Sequence, residues 1–239
     1  MPSAILTWHS LDTSGSPISI APAVFSRQMQ ALAQSGINIV PLSQILTTPN
    51  AVALTFDDGF QNFLQHGLPD LQQHNFPATL FAVSEFVGKD NHWPGQPSGI
   101  PKLPLLNWEN LRTIHKSGIS IGSHTTTHPT LYQLSFETQR AEIVSAKQTL
   151  EDKLGVAITE FAYPYGATDA RSHLTVQRNF ATACTTEFRH ISGDDLAHLL
   201  PRIDVRSMGH PVWLSSLLTP LGETWTTLRR SIRFARSAA

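Results

Sequence analysis

Val52-Ala53-Leu54-Thr55-Phe56-Asp57-Asp58-Gly59 is the stretch around which the rest of the chain is organised. Its apolar part, residues 52–56, has the length and composition of a buried strand. Two adjacent carboxylates then arrive where a core strand hands over to a loop, and Gly59 releases the turn. Neighbouring acids repel, so a fold retains such a pair when something offsets the charge, commonly a metal or a shared proton. The competing reading is an Asp-rich turn that caps the helix to follow.

Working outward, strands and helices alternate. Residues 5–8 read as a first strand with His9 at its end, and 21–35 as an amphipathic helix carrying Phe25, Met29 and Leu32, stopped by Gly36. Residues 37–40 form a short strand, and 60–74 a helix broken near Gly67 and Pro69. Strands are expected at 79–83, 119–121, 159–163, 181–184 and 203–205, and helices at 107–118, 135–154 and 169–179. This order predicts a mainly parallel α/β architecture in a single domain spanning 1–239, with 211–239 a C-terminal helical extension. In parallel folds functional groups collect at the carboxyl ends of strands. His9, Asp57-Asp58, His124 and Pro164-Tyr165-Gly166 all fall there.

Composition narrows the classes. Of 239 residues, 41% are hydrophobic, enough for a sizeable core. Lys+Arg 17 against Asp+Glu 18 gives a net charge of -1, so no nucleic-acid footprint is present. The single cysteine, Cys184, excludes an internal disulfide and suits a reducing compartment, whereas 11 histidines invite metal or acid/base chemistry. No run of 18 apolar residues offers a membrane-spanning helix. The N-terminus carries no basic and long apolar leader, so a cytoplasmic protein is expected, an exported one shorn of its signal being the alternative.

His124 and His128 pose a geometric question. In an extended strand their Cα atoms would lie about 13 Å apart, too far for one ion bound through metal–nitrogen bonds of about 2 Å. Thr125-Thr126-Thr127 and Pro129 disfavour a helix. Shared ligation therefore requires a tight turn, which Gly122 and Pro129 permit. Two histidines and one carboxylate leave open positions for water and substrate, the pattern of a catalytic site.

Taken together, Thr55-Phe56-Asp57-Asp58-Gly59, His124-Thr125-Thr126-Thr127-His128 and Phe161-Ala162-Tyr163-Pro164-Tyr165-Gly166 resemble the polysaccharide deacetylases of carbohydrate esterase family 4. The resemblance spans about residues 5–205. It implies a distorted (β/α) barrel with about seven parallel strands and metal-dependent removal of acetyl groups from N-acetylated amino sugars of a polysaccharide or its precursor. By position it makes Asp58, His124 and His128 the ligands of a divalent metal ion, zinc first, with cobalt or nickel as alternatives. Asp57 becomes the general base, and the backbone N–H of Tyr165 an oxyanion donor.

The chain departs from the commoner pattern of that family in two places. A Leu-x-His motif near the C-terminus is missing, and Ser207-Met208-Gly209-His210 is its nearest counterpart. Ile5-Leu6-Thr7-Trp8-His9-Ser10 looks like the segment of a branch, similar to poly-N-acetylglucosamine deacetylases, whose acid histidine is N-terminal. His9 is therefore expected as the general acid, with His210 as the alternative. Ala162 stands where the third motif usually has arginine, and Arg202 is expected to supply that charge beside Asp57, oriented by Asp204.

Trp93, Tyr163 and Tyr165 are candidate substrate-binding aromatics. The Pro- and Gly-rich segment 87–106 is either a flexible excursion or a substrate-side lid carrying Trp93. From 211 onward an apolar stretch leads into Arg229, Arg230, Arg233 and Arg236. It either packs on its own domain or docks on a membrane surface or partner. Two rival functions stay open: the same metal chemistry on a non-sugar amide or O-acetyl ester, and a binding module that has lost catalysis.

Overall fold

The computed structural model describes residues 3–208, 210 and 212–237. Met1, Pro2, Gly209, Pro211, Ala238 and Ala239, which the expected 1–239 domain includes, lie outside the described residues, as do the side chains of Arg233 and Arg236.

Eight strands form one sheet: β1 (Ala4–Trp8), β2 (Asn38–Ile39), β3 (Ala51–Phe56), β4 (Thr79–Ala82), β5 (Ser120–Ser123), β6 (Glu160–Ala162), β7 (Thr182–Cys184) and β8 (Ile203–Asp204). The hydrogen-bonded path runs β7-β6-β5-β4-β3-β1-β8, with β2 added against β3, and every pairing is parallel. Helices α1 (Pro22–Ser35), α2 (Leu68–Gln73), α3 (Trp108–Lys116), α4 (Phe136–Leu154) and α5 (Ala170–Asn179) make the crossovers. This is the curled barrel that the alternation and the resemblance implied.

Strand alternation sorts side chains into two cores. Ala4, Leu6 and Trp8 of β1 and Val52, Leu54 and Phe56 of β3 face outward, where they pack with Phe25, Met29 and Leu32 of α1. Ile5, Ala51, Ala53, Phe81, Ala162, Cys184 and Leu200 fill the lumen. Burial on both faces is why β3 reads as an uninterrupted apolar run. Small residues suit the lumen, and Gly122 is obligatory there. A Cβ at that position would meet the Phe81 ring at 2.4 Å.

Between β7 and β8 the barrel has a seam, closed by a detour of the chain. The Thr185 N–H donates to the Leu200 carbonyl (2.8 Å) and the Leu200 N–H to Ala183 (2.9 Å), so the segment leaves and returns at one point. Inside the detour Arg189 grips Asp195 with two hydrogen bonds, and Gly193 lies at its exposed far side. Arg202 follows at once, its N–H bonded to the Glu187 carbonyl at 3.0 Å.

Two segments differ from simple expectation. The helix broken near Gly67 is a π-helical turn, Phe63–Gly67, that passes directly into α2, which carries Pro69 in its first turn. The 87–106 segment is a braced excursion. Its limbs pair through Gly88 N–H to Leu106 O, Leu105 N–H to Lys89 O and Asn91 N–H to Leu103 O, and Leu106 N–H ties it to Gly59 O.

At the C-terminus α6 (Val212–Ser215) packs against α1, with Leu214, Leu217 and Leu218 buried. Trp213 stacks on Trp225 of α7 (Pro220–Ser237) at 5.2 Å. The apolar stretch thus covers its own domain, but Leu221, Leu228 and Ile232 of α7 remain exposed. No helix among the described residues is long and apolar enough to cross a membrane.

Candidate active site

Parity along β3 gives the two adjacent aspartates opposite surroundings. Asp57 continues the lumen-facing series of Ala51, Ala53 and Thr55. Arg202, fully buried, meets it there with two hydrogen bonds, Nη1 to Oδ1 and Nη2 to Oδ2, both 2.7 Å. The guanidinium also donates to Thr7 Oγ1, Thr55 Oγ1 and the Thr185 carbonyl, and the Phe81 ring lies 5.8 Å away. Ala162 faces the same lumen, so Arg202 brings a positive charge to the interior that the third motif leaves without one. Burial alone would push the Asp57 carboxyl up. Arg202, then His124 and His9, overcome this and hold it well below the usual carboxylate range. Asp204 acts on Arg202 through its charge, after the larger effects of burial and of Asp57.

Asp58 turns away. Its φ of 71° is left-handed, a conformation that L side chains rarely adopt, and it sends the second carboxylate toward the histidines. Asp58 Oδ1 lies 3.5 Å from His124 Nε2 and 3.4 Å from His128 Nε2. One ligand atom from each of the three side chains lies within 4.8 Å of the others, and all three residues are buried. The tight turn required by shared ligation is present, with Thr125 at φ 69° and His128 at φ 61°. Tyr165 adds a fourth left-handed residue at φ 58°. Each such conformation costs about 1–3 kcal/mol and persists only where its surroundings over-determine it.

Protonation suits a cation. His124 Nδ1 is 2.7 Å from the Ala162 carbonyl, which can only accept, so that nitrogen carries the proton and Nε2 offers its lone pair to the cluster. Burial, only partly offset by Asp57, pushes the His124 imidazole down to about 4, so it is neutral near pH 7. Burial also acts on Asp58, but the hydrogen bond and charge of His128 outweigh it and keep the carboxyl below its ordinary value. Two imidazoles and a carboxylate converging on one point form a donor set that fits zinc or a similar divalent ion.

His9 follows from register. Trp8 pairs with Phe56 across β1 and β3, so the next residues meet, and His9 Nε2 lies 3.8 Å from Asp57 Oδ2. His210 is exposed, and its carbonyl accepts from the Trp213 N–H at the head of α6. Tyr165 is 41% exposed and sets its ring edge-on to His128 at 4.7 Å.

Two expected substrate-binding aromatics are corrected. Trp93 is only 2% exposed, lies in a cluster with Phe60, Val83 and Leu105, and turns its ring to His128 at 4.4 Å. It buttresses a histidine rather than presenting a stacking surface. Tyr163 is buried because it shares the helix-facing parity of Phe161, whose ring it meets at 5.0 Å. Sequence reasoning also missed Glu142 of α4, which hydrogen-bonds the turn between the two histidines. The clue was available: a threonine-rich turn outside any ladder needs acceptors for its N–H groups.

A parallel barrel with an Asp-His-His cluster at its carboxyl rim defines a class of hydrolases. The sequence places the chain within that class, since residues 45–183 match the family model for polysaccharide deacetylase. The chain belongs to the polysaccharide deacetylase family. It is 26% identical over 210 residues to the putative polysaccharide deacetylase YxkH of Bacillus subtilis, covering 84% of this chain and 70% of that protein. It is 28% identical over 153 residues to a peptidoglycan-N-acetylglucosamine deacetylase of Bacillus cereus, covering 62% of this chain and half of the relative. The structure of IcaB from Ammonifex degensii superposes with a TM-score of 0.74 at 23% identity, over 90% of this chain and 96% of that one, and shows the same fold.

Proposed function

We propose that this protein is a metal-dependent hydrolase that removes N-acetyl groups from amino sugars of a polysaccharide or its precursor. The observation that carries this is the convergence of Asp58, His124 and His128 on one point beside the Asp57–Arg202 pair. Those three residues would hold the ion. When bound, a divalent cation polarises the acetyl carbonyl and acidifies a water molecule.

The chain's own groups supply the rest. Arg202 keeps Asp57 ionised and fixes both carboxylate oxygens, so Asp57 is ready to accept a proton from the attacking water at neutral pH. His9 Nε2, next to Asp57 Oδ2 and partly open to solvent, is the group from which the departing amine takes its proton. Tyr165, on its left-handed turn, offers its backbone N–H to the developing oxyanion. The B. cereus relative's name, a peptidoglycan-N-acetylglucosamine deacetylase, supports an N-acetyl amino sugar as substrate.

Acetate release from N-acetylglucosamine oligomers tests this, with stripped protein refilled with zinc, cobalt or nickel. Metal-dependent release that Asp57→Asn abolishes is expected. Metal binding without acetate from any sugar, but with release from acetyl esters or non-sugar amides, would move the substrate class to those compounds.

The exposed stripe of α7 supports a place of action. Leu221 (73% exposed), Leu228 (60%) and Ile232 recur at helical spacing, with Arg229 and Arg230 beside them. An apolar stripe flanked by arginine suits an anionic lipid surface. Two copies meeting along it would oppose their arginines. Arg230 also pairs with Glu187, in the detour that leads to Arg202, which keeps the stripe near the rim. Co-sedimentation with phosphatidylglycerol vesicles but not phosphatidylcholine vesicles is expected, and loss of it in a Leu221→Ser/Leu228→Ser double variant. Equal pelleting with both lipids, or with neither, would remove this part of the proposal.

A further inference from the structure

We propose that Glu142, on the first half of α4, is a positioning residue that sets the spacing of the two histidines. This rests on the assignment of Asp58, His124 and His128 as metal ligands. The chain between those histidines makes no ladder, and two of its residues are left-handed, Thr125 and His128. Thr125 is β-branched, the residue type least suited to that conformation. Something outside the turn must hold it.

Glu142 does so with three acceptor oxygens. Its Oε2 accepts the N–H of Thr126 (2.9 Å) and of Thr127 (2.8 Å), and its Oε1 accepts the Thr127 hydroxyl (2.7 Å). Its own backbone carbonyl accepts from the N–H of Thr126 at 3.1 Å and from the Thr126 hydroxyl at 3.2 Å. From the opposite side, the N–H groups of Ser84 and Glu85 donate to the carbonyls of Thr125 and Thr126, both at 3.1 Å. The turn is therefore stretched between α4 and the end of β4. Within it the His128 N–H donates to Thr125 Oγ1 at 3.0 Å, so the hold on Thr126 and Thr127 is passed to the second histidine. Without the carboxylate, the Thr127 N–H loses its acceptor, the Thr126 N–H keeps only the residue-142 carbonyl, and His128 is free to swing from Asp58.

The role is one of shape, because the carboxylate spends its lone pairs on the turn. Glutamine at 142 can keep its oxygen on the two N–H groups and donate its amide to the Thr127 hydroxyl. Aspartate keeps the charge but is too short to reach. The test is zinc affinity by competition with a chromophoric chelator, with the visible spectrum of the cobalt form and the metal-free exchange rate of the Thr127 amide alongside.

Glu142→Ala should weaken zinc binding about 10- to 100-fold, the usual range for a lost outer ligand partner. Glu142→Asp should follow it, while Glu142→Gln stays within about threefold of wild type. The cobalt spectrum and the Thr127 exchange rate should change in Ala and Asp alone. Wild-type zinc affinity in a folded Glu142→Ala or Glu142→Asp protein overturns the proposal, as does a Gln variant as weak as Ala, which would make the role one of charge. Should Ala fail to fold, the Asp and Gln proteins decide. A wild-type protein that binds none of these metals refutes the metal assignment itself and this proposal with it, whereas unaltered variants of a metal-binding wild type refute only Glu142.

Discussion

The lumen beneath Asp57 and the rim around Asp58 begin one residue apart and resolve the same repulsion in opposite ways. In the lumen the charge is closed: Arg202 meets both oxygens of Asp57, and two threonine hydroxyls and a carbonyl accept further N–H groups of the guanidinium. At the rim the charge is left open. Asp58 Oδ1 faces the Nε2 atoms of His124 and His128 at 3.5 and 3.4 Å, and one ligand atom from each of the three side chains lies within 4.8 Å of the others. A buried pair complete in itself is architecture. A buried set of acceptors with too few donors is a receptacle for a cation. Arg202 neutralises Asp57, and a cation held by Asp58, His124 and His128 would neutralise Asp58, so that no proton would have to be shared between the two aspartates.

The largest expected effect breaks the closed side. Arg202→Ala leaves Asp57 buried and unpaired, which should cost about 3–5 kcal/mol of stability in urea unfolding and abolish acetate release. Arg202→Lys should recover little, since one ammonium cannot satisfy both oxygens. If Arg202→Ala unfolded at the wild-type denaturant concentration, the lumen pair would not be structural.

Removing metal from the open side should matter nearly as much. With zinc at a thousand times its dissociation constant, the bound ion adds about 4 kcal/mol. A chelator should therefore lower the melting temperature of wild type and leave an Asp58→Asn protein unmoved. An equal fall in both would place the ion elsewhere.

A smaller effect appears in the pH dependence of the metal-free protein. His124 is pushed down to about 4 in the fold from an ordinary 6.5, so on acidification the unfolded chain takes up this proton first. Stability should fall between pH 6.5 and 4, with a slope from this group approaching about 1.4 kcal/mol per pH unit. Asp57 behaves differently. Its lowered carboxyl gives stability present above its ordinary 3.8 and lost only at more acidic pH. His124→Gln should flatten the upper window and spare the lower one. A wild-type curve that is already flat from 6.5 to 4 would show the histidine to be solvated.

How much of this was legible follows the same divide. The lumen could be read in part: β3 and its aspartates stood out as an apolar run closed by two acids, whereas His9 was reached through the resemblance of Ile5-Leu6-Thr7-Trp8-His9-Ser10, because the register between β1 and β3 is not a local property. Arg202 was found as the charge that Ala162 does not provide. The rim was harder, because its geometry is made by left-handed residues and distant acceptors. Thr125 and His128 carry no glycine to announce the turn, and Glu142 is one charged residue among many on α4. Trp93 and Tyr163 were misplaced for one reason: an aromatic near a rim motif looks the same in sequence whether it faces sugar or core. For Tyr163, counting parity from Phe161 would have put it in the core.

The seam detour has a consequence for engineering. The chain enters and leaves through Thr185 and Leu200, and the Arg189–Asp195 clasp closes the segment on itself, with Gly193 in open space beyond. Its tip is thus a port in the barrel wall. A peptide tag, a fluorophore loop or a whole guest domain inserted at Gly193 would be carried outside the closed neck, leaving the frame that aims Arg202 at its original length.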